Sequence, residues 1–159
     1  MADNRERAGE TLPVDLRLEF DDTPSPELRA HLAREINAFH AITAGPPDSL
    51  RFALLARDAD GAIRAGVVGS AAWRWLFIEA MWVAADRRGH GLGRILLGRA
   101  EAHGVRLGCH SVWLDTFQAR EFYEALGYET FGVLEDYPGP QNRIFMRKRL
   151  GAAAQGDAP

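Results

Sequence analysis

Three glycines alternate in "RRGHGLGRILL" (residues 87–97), between an apolar run and a helical pattern. Glycine costs a helix or strand about 0.5–1 kcal/mol relative to alanine, so Gly89, Gly91 and Gly93 need a physical reason. One reading is a plain loop that separates a strand from a helix. The other is an anion cradle, in which backbone N–H groups and a helix N-terminus face a phosphate. The dinucleotide pattern G-x-G-x-x-G fails, because Arg94 stands where its third glycine belongs. The mononucleotide pattern G-x-x-x-x-G-K-[ST] fails for want of a lysine. What remains is an R-x-x-G-x-G arrangement over Arg88-Gly89-His90-Gly91-Leu92-Gly93.

Two further groups have chemistry to offer. Glu79 interrupts the apolar run "WLFIEAMWVA" (75–84), where a carboxylate is expensive unless paired or solvated. It is either a structural charge, ion-paired or exposed, or a general base whose pKa an apolar setting would raise. Tyr123 lies on the inner stripe of "QAREFYEAL", as a core ring or as a proton donor. The five histidines are scattered without metal-ligand spacing, so no metal is expected. Ser70 and Ser111 lack a nucleophile-elbow context.

The elements that must position these groups read as follows. "VDLRLEF" (14–20) alternates like a half-buried strand, and Ser25 with Pro26 opens a helix to about Ile42. Its stripe of Leu28, Leu32, Ile36 and Phe39 is the expected core face. Residues 50–58 and 63–73 form a hairpin, and 75–84 a central strand buried on both faces. A helix over 92–107, a strand at 110–117, a short helix ending at Gly127 and two last strands complete the chain. The order is β-α-β-β-β-α-β-α-β-β: an α/β chain with one mixed sheet and helices packed on it.

The chain has 159 residues, enough for one domain, with flexible segments expected at 1–13 and 151–159 around a domain at 14–150. A net charge of −3 argues against nucleic-acid binding. No apolar run is long enough for a membrane span, no signal-peptide pattern opens the chain, and the single cysteine, Cys109, fits a reducing compartment. A cytoplasmic location is expected. The chain holds one lysine, Lys148, against eighteen arginines, so an arginine beside a motif says little by itself.

The glycine stretch resembles the acetyl-CoA motif [QR]-x-x-G-x-[GA] of the GNAT N-acetyltransferase superfamily. "REFYEALGYETFG" is similar to the family's F-Y-x-x-x-G-[YF] element, and the element order over about 14–150 is similar to the GNAT fold. "LDTFQA" with "FGVLEDYPG" looks like a bacterial branch of small GNAT enzymes.

The resemblance implies acetyl-CoA as co-substrate, with its pyrophosphate on the N–H groups of residues 88–94. It implies direct attack by an amine, with no covalent enzyme intermediate. It further implies a backbone oxyanion contact near Met81, pantetheine pairing at Val83 with Trp82 between them, and Tyr123 as the acid. Many GNAT enzymes place an acidic residue where Glu79 stands. An asparagine that often touches coenzyme A is replaced in the region of Phe117, Gln118 and Ala119. Dimers are common in the family, so a homodimer is an expectation.

For the acceptor, the amine of a small molecule is expected, a cationic one where acidic loop residues bind it, with a protein amino terminus or lysine as runner-up and a non-catalytic acyl-CoA-binding module as the rival class. Asp21, Asp22, Glu135 and Asp136 are candidate carboxylates for it, and Trp73, Trp75, Phe77, Trp82 and Tyr137 are candidate walls.

Overall fold

A computed structural model describes Pro13 and residues 15–151. Its elements are α1 (Pro26–Ala44), β1 (Leu50–Arg57), β2 (Ile63–Ala72), β3 (Trp75–Val83), α2 (Leu92–Arg106), β4 (Ser111–Thr116), α3 (Arg120–Glu124), β5 (Glu129–Leu134) and β6 (Arg143–Arg149). A single 3-10 turn, Ala85–Arg87, joins β3 to the glycine stretch.

The strands form one sheet in the order β1-β2-β3-β4-β6-β5. All neighbours are antiparallel except β3 and β4. That parallel pair needs a crossover, which α2 supplies.

One face of the sheet carries the core. Leu76, Val112, Leu114 and Met146 are fully buried there beneath Leu96, Leu97 and Ala100 of α2 and Tyr123 of α3. Burying Leu96 and Leu97 stabilises the fold by roughly 1.5–3 kcal/mol each. That outweighs the cost of about 1 kcal/mol for each glycine inside a helix. Gly104 has its own reason: a Cβ there would lie 2.9 Å from Leu76 Cδ2, so the glycine lets α2 settle on β3. Cys109 is buried in the same core, and desolvation pushes its thiol pKa up.

Three expectations are corrected. Residues 15–20 form no strand, and Leu16, Leu18 and Phe20 are exposed, so the sheet has six strands instead of seven. Val14, with most of both terminal segments, lies outside the described residues.

Helix α1 forms as expected, with Leu28 N–H donating to Ser25 Oγ at 3.2 Å, but none of its residues is buried. Its C-terminal end is held by Trp73, whose Nε1 donates to Gly45 O at 3.1 Å and whose ring meets His40 edge-on. The stripe therefore does not lie on the sheet. For the same reason β3 is buried on one face only: Leu76 and Ile78 are sealed, while Trp82 on the other face is 51% exposed.

Gly69 and Gly98 make the packing argument testable. A Cβ at Gly69 would lie 2.3 Å from the Phe77 carbonyl oxygen, whereas one at Gly98 would meet nothing within 4 Å. Gly69→Ala should destabilise by about 1–3 kcal/mol, as overpacking does. Gly98→Ala should stabilise by about 0.5–1 kcal/mol. Thermal melts of the two variants should shift in opposite directions.

Candidate active site

The centre of the site is a place where two strands part. β3 and β4 pair from Trp75↔Ser111 to Ile78↔Leu114 and no further. On the other edge of β3 the register with β2 slips at the same point, from Gly69↔Ile78 to Val68↔Ala80. Glu79 is the extra residue of that bulge. Bulges bend a strand and increase its local twist, which carries the second half of β3 away from β4.

The parting leaves backbone groups without a strand partner. The Ala84 N–H donates to Arg64 O at 2.8 Å, toward β2. Because N–H and C=O groups alternate sides along a strand, those of Met81 and Val83 point the other way, into the gap, while those of Trp82 point to β2. The Val83 carbonyl accepts from Arg88 Nε at 2.9 Å, so the first residue of the glycine motif folds back onto the strand end.

The glycine stretch follows at once. Gly89 (φ +77) and Gly91 (φ +80) are in the left-handed region, which side chains with a Cβ rarely adopt. A Cβ at either would meet open space, so conformation is what selects glycine at these two positions. Gly91 caps α2 without a side-chain hydrogen bond, and no acidic residue stands in the first turn. The first intrahelical bond from this end is Ile95 N–H to Gly91 O at 3.1 Å, which leaves the N–H groups of Leu92, Gly93 and Arg94 open. Three open donors at the positive end of a 15-residue helix make an anion cradle.

Gly93 has a different role. A Cβ there would lie 3.4 Å from Phe122 Cζ and 3.8 Å from Val83 Cγ2. The start of α2, the end of β3 and helix α3 thus meet at Gly93. Arg88, His90 and Arg94 are exposed around the cradle, and His90 Nδ1 lies 2.7 Å from Arg88 O. Arg87 is held by Asp86 at 3.6 Å.

Tyr123, next to Phe122, is 7% exposed. Its ring packs edge-on against Phe122 and Tyr128, and its hydroxyl has no protein hydrogen-bond partner among the described residues. Burial raises the phenol pKa, and the Asp115 carboxylate raises it further. Tyr128 is a structural ring by contrast. Its hydroxyl donates to Glu101 Oε1 at 2.9 Å, and Lys148 Nζ donates to Glu101 Oε2 at 2.7 Å.

Glu79 is exposed, with no ion pair among the described residues, which matches the exposed-charge alternative; the apolar setting of the other alternative is absent. The splay itself opens the carboxylate to water. Phe77 stacks on Trp113, centroids 4.0 Å apart, two residues before the gap. Trp75 packs on His110 at the far end of the β3–β4 pairing, four residues or roughly 13 Å along the strand from Glu79. Asp21 and Asp22 sit at the free end of α1, where Asp21 Oδ1 accepts the Thr23 N–H. Glu135 and Asp136 are exposed in the loop joining β5 to β6.

Sequence reasoning missed one cluster. Arg143 Nε donates to Asp115 Oδ2 at 2.7 Å, and its guanidinium lies 5.4 Å from the rings of Phe117 and Tyr137 and 5.9 Å from Phe145. The partners come from β4, the link after it, the β5–β6 loop and β6. Of its members, the sequence marks only Tyr137 as a candidate wall.

A family model described as "Acetyltransferase (GNAT) family" matches residues 15–128, and the chain belongs to that family. It is 36% identical over 121 residues to a blasticidin-S acetyltransferase of Streptomyces morookaense, covering 74% of this chain and 84% of the relative. Among solved structures, an acetyltransferase from Bacillus cereus ATCC 14579 superimposes with a TM-score of 0.74 at 27% identity, over 83% of this chain and 98% of the other. A structure from Bacillus anthracis str. Ames in complex with acetyl coenzyme A shares the fold, with a TM-score of 0.58 at 19% identity over 64% of each chain. The protein is thus an acetyl-CoA-dependent acetyltransferase. The open donors before α2 and the unpaired edge of β3 suit the anionic and amide-bearing halves of that co-substrate.

With φ of +80 at Gly91, a β-branched residue is strained by about 1–2 kcal/mol even in open space. Gly91→Val should therefore lower the melting temperature of the free protein by a few degrees and abolish the rise that acetyl-CoA produces in wild type. NAD should give no rise in either protein. A normal acetyl-CoA response in the variant would place the cradle elsewhere.

Proposed function

We propose that this enzyme transfers the acetyl group to a primary amine of a small molecule by direct attack at the β3–β4 gap. The observation that carries the reading is the parting itself, which sets free backbone on β3 beside an open carboxylate and a Tyr123 hydroxyl with no hydrogen-bond partner among the described residues. The similarity to an enzyme named for blasticidin S favours a small-molecule acceptor.

Each residue then has a task. The open N–H groups of Leu92, Gly93 and Arg94 hold the pyrophosphate, helped by the dipole of α2, while the Arg88 N–H is spent on Ala85 O. The Val83 N–H pairs with the pantetheine as a neighbouring strand would, and Arg88 steadies the strand end through the Val83 carbonyl. The Met81 N–H faces the thioester carbonyl and stabilises negative charge as it develops there. Trp82 is spent on β2 through its backbone and contributes shape.

The thioester supplies an activated acyl group with a thiolate to expel. Glu79 takes the proton of the incoming amine, directly or through a water that its exposure admits. Tyr123 protonates the departing thiolate. Its raised pKa keeps the phenol protonated throughout the neutral range, so the acid is always loaded. Phe77, Glu135 and Asp136 border the acceptor side, where their rings and carboxylates suit a cationic amine.

The test is thiol release from acetyl-CoA against blasticidin S, spermidine, kanamycin and a peptide with a free amino terminus. A small amine should be turned over and the peptide should not; the reverse result would make this a protein acetyltransferase.

Tyr123→Phe keeps the ring and deletes a hydroxyl with no hydrogen-bond partner among the described residues. It should leave stability and acetyl-CoA affinity nearly unchanged while kcat falls roughly 10²–10⁴-fold. Because the phenol pKa lies above its ordinary value of about 10, wild-type kcat should show no loss from this acid below about pH 10. Glu79→Gln should cost about tenfold to a thousandfold, most at low pH where the amine carries its proton. Unchanged kinetics in either variant would return that residue to a structural role.

A further inference from the structure

Of the cluster around Arg143, only Asp115 bears on the chemistry above, through the Tyr123 phenol; Arg143 and its rings do not, yet they stand at the open end of the gap. Leu114 is the last β4 residue paired with β3, and Asp115 follows it. On β6, Phe145 faces Asp115, and Arg143 lies two residues away on the same face of the sheet. That is also the face of Phe77 and Trp113, opposite the core.

Arg143 joins three separate pieces of chain. Its Nε donates to Asp115 Oδ2 at 2.7 Å, which fixes the plane of the guanidinium. The planar group then meets Phe117 in the β4–α3 link and Tyr137 in the β5–β6 loop, each at 5.4 Å. Phe117 and Tyr137 are themselves 6.5 Å apart and tilted, and both remain substantially exposed. Exposed rings seldom hold a fixed mutual position unless something organises them. Arginine is suited to this, because it can give an edge to a carboxylate while keeping its flat faces for rings.

We propose that Arg143 is a positioning residue for the acceptor: anchored on Asp115, it holds Phe117 and Tyr137 as a two-ring wall beside Glu79 at the mouth of the β3–β4 gap. This rests on the reading of the gap as the acetyl-transfer site. The acceptor touches the rings, and Arg143 acts through them. Asp115 acts one step further back, by fixing Arg143. The wall is a π surface, so the acceptor it selects carries a flat conjugated group or a cation next to its amine.

Three variants test this: Arg143→Gln, Arg143→Lys and Asp115→Asn, each assayed with blasticidin S, spermidine and kanamycin as varied acceptors. Acceptor KM should rise about tenfold in Arg143→Gln, with kcat falling far less and the KM for acetyl-CoA unchanged, the pattern of lost ground-state positioning. Asp115→Asn should reproduce the rise in acceptor KM; its kcat is left out of the comparison, because Asp115 also raises the Tyr123 phenol pKa. Arg143→Lys should rescue little, since it keeps the charge and loses the planar faces; full rescue would reduce the cluster to an ordinary ion pair and overturn the proposal.

Amide hydrogen exchange should quicken over residues 135–142 in Arg143→Gln and stay unchanged in α2. Unchanged exchange in that loop, or a parallel rise in KM for acetyl-CoA, would also overturn it. If wild type acetylates none of the three probes, the small-amine reading fails at that point, before any variant is compared, and the proposal falls with it.

Discussion

The loss of pairing between β3 and β4 after Ile78 and Leu114 is the constraint on which the rest of the site depends. A sheet normally satisfies every backbone donor and acceptor within it, and unpaired groups in its interior are costly. Here the bulge at Glu79 bends β3 off its parallel neighbour at the centre of the sheet. The free edge is usable because it is short, lies between two fixed strands and can be completed by a ligand that offers amides of its own. Gly69 makes this possible from the other side, since only a residue without Cβ tolerates the Phe77 carbonyl so close.

The other features are arranged around that free edge. β3 runs out through Val83 into the 3-10 turn and the left-handed glycines, so the helix that offers its N-terminus begins where the unpaired strand ends. Gly93 lets Phe122 and Val83 come together, which sets α3, and with it Tyr123, beside the same opening. The two faces of the sheet then divide the work. The core face carries the phenol and the anion cradle, and the outer face carries Phe77, Trp113 and the cluster organised by Arg143.

How much of this the sequence displayed depended on distance along the chain. The glycine cradle was legible because its whole logic lies within a strand, a turn and a helix start. The buried position of Tyr123 was legible from helical spacing. The bulge was not, because Glu79 looks like an interruption of an apolar run until the register against β2 is known. The Asp115–Arg143 pair was not legible, because the two residues stand 28 apart in the chain and eighteen arginines made any one of them unremarked. The alternation at 14–20 and the stripe of α1 misled for a physical reason: periodicity reports which face is apolar and is silent about what that face meets. Among the described residues α1 is held near its C-terminal end, by Trp73, and its stripe and the outer face of β3 stay open.

The most direct test of the central claim is residue-resolved amide exchange along β3, read for individual N–H groups with and without acetyl-CoA. In the free protein the Trp82 N–H, bonded toward β2, should be protected, while those of Met81 and Val83 exchange fast. Acetyl-CoA should leave Trp82 as it was and slow Met81 and Val83 markedly, as if a strand had been added. Protection of Met81 and Val83 already in the free protein, or no change at either on binding, would contradict the account.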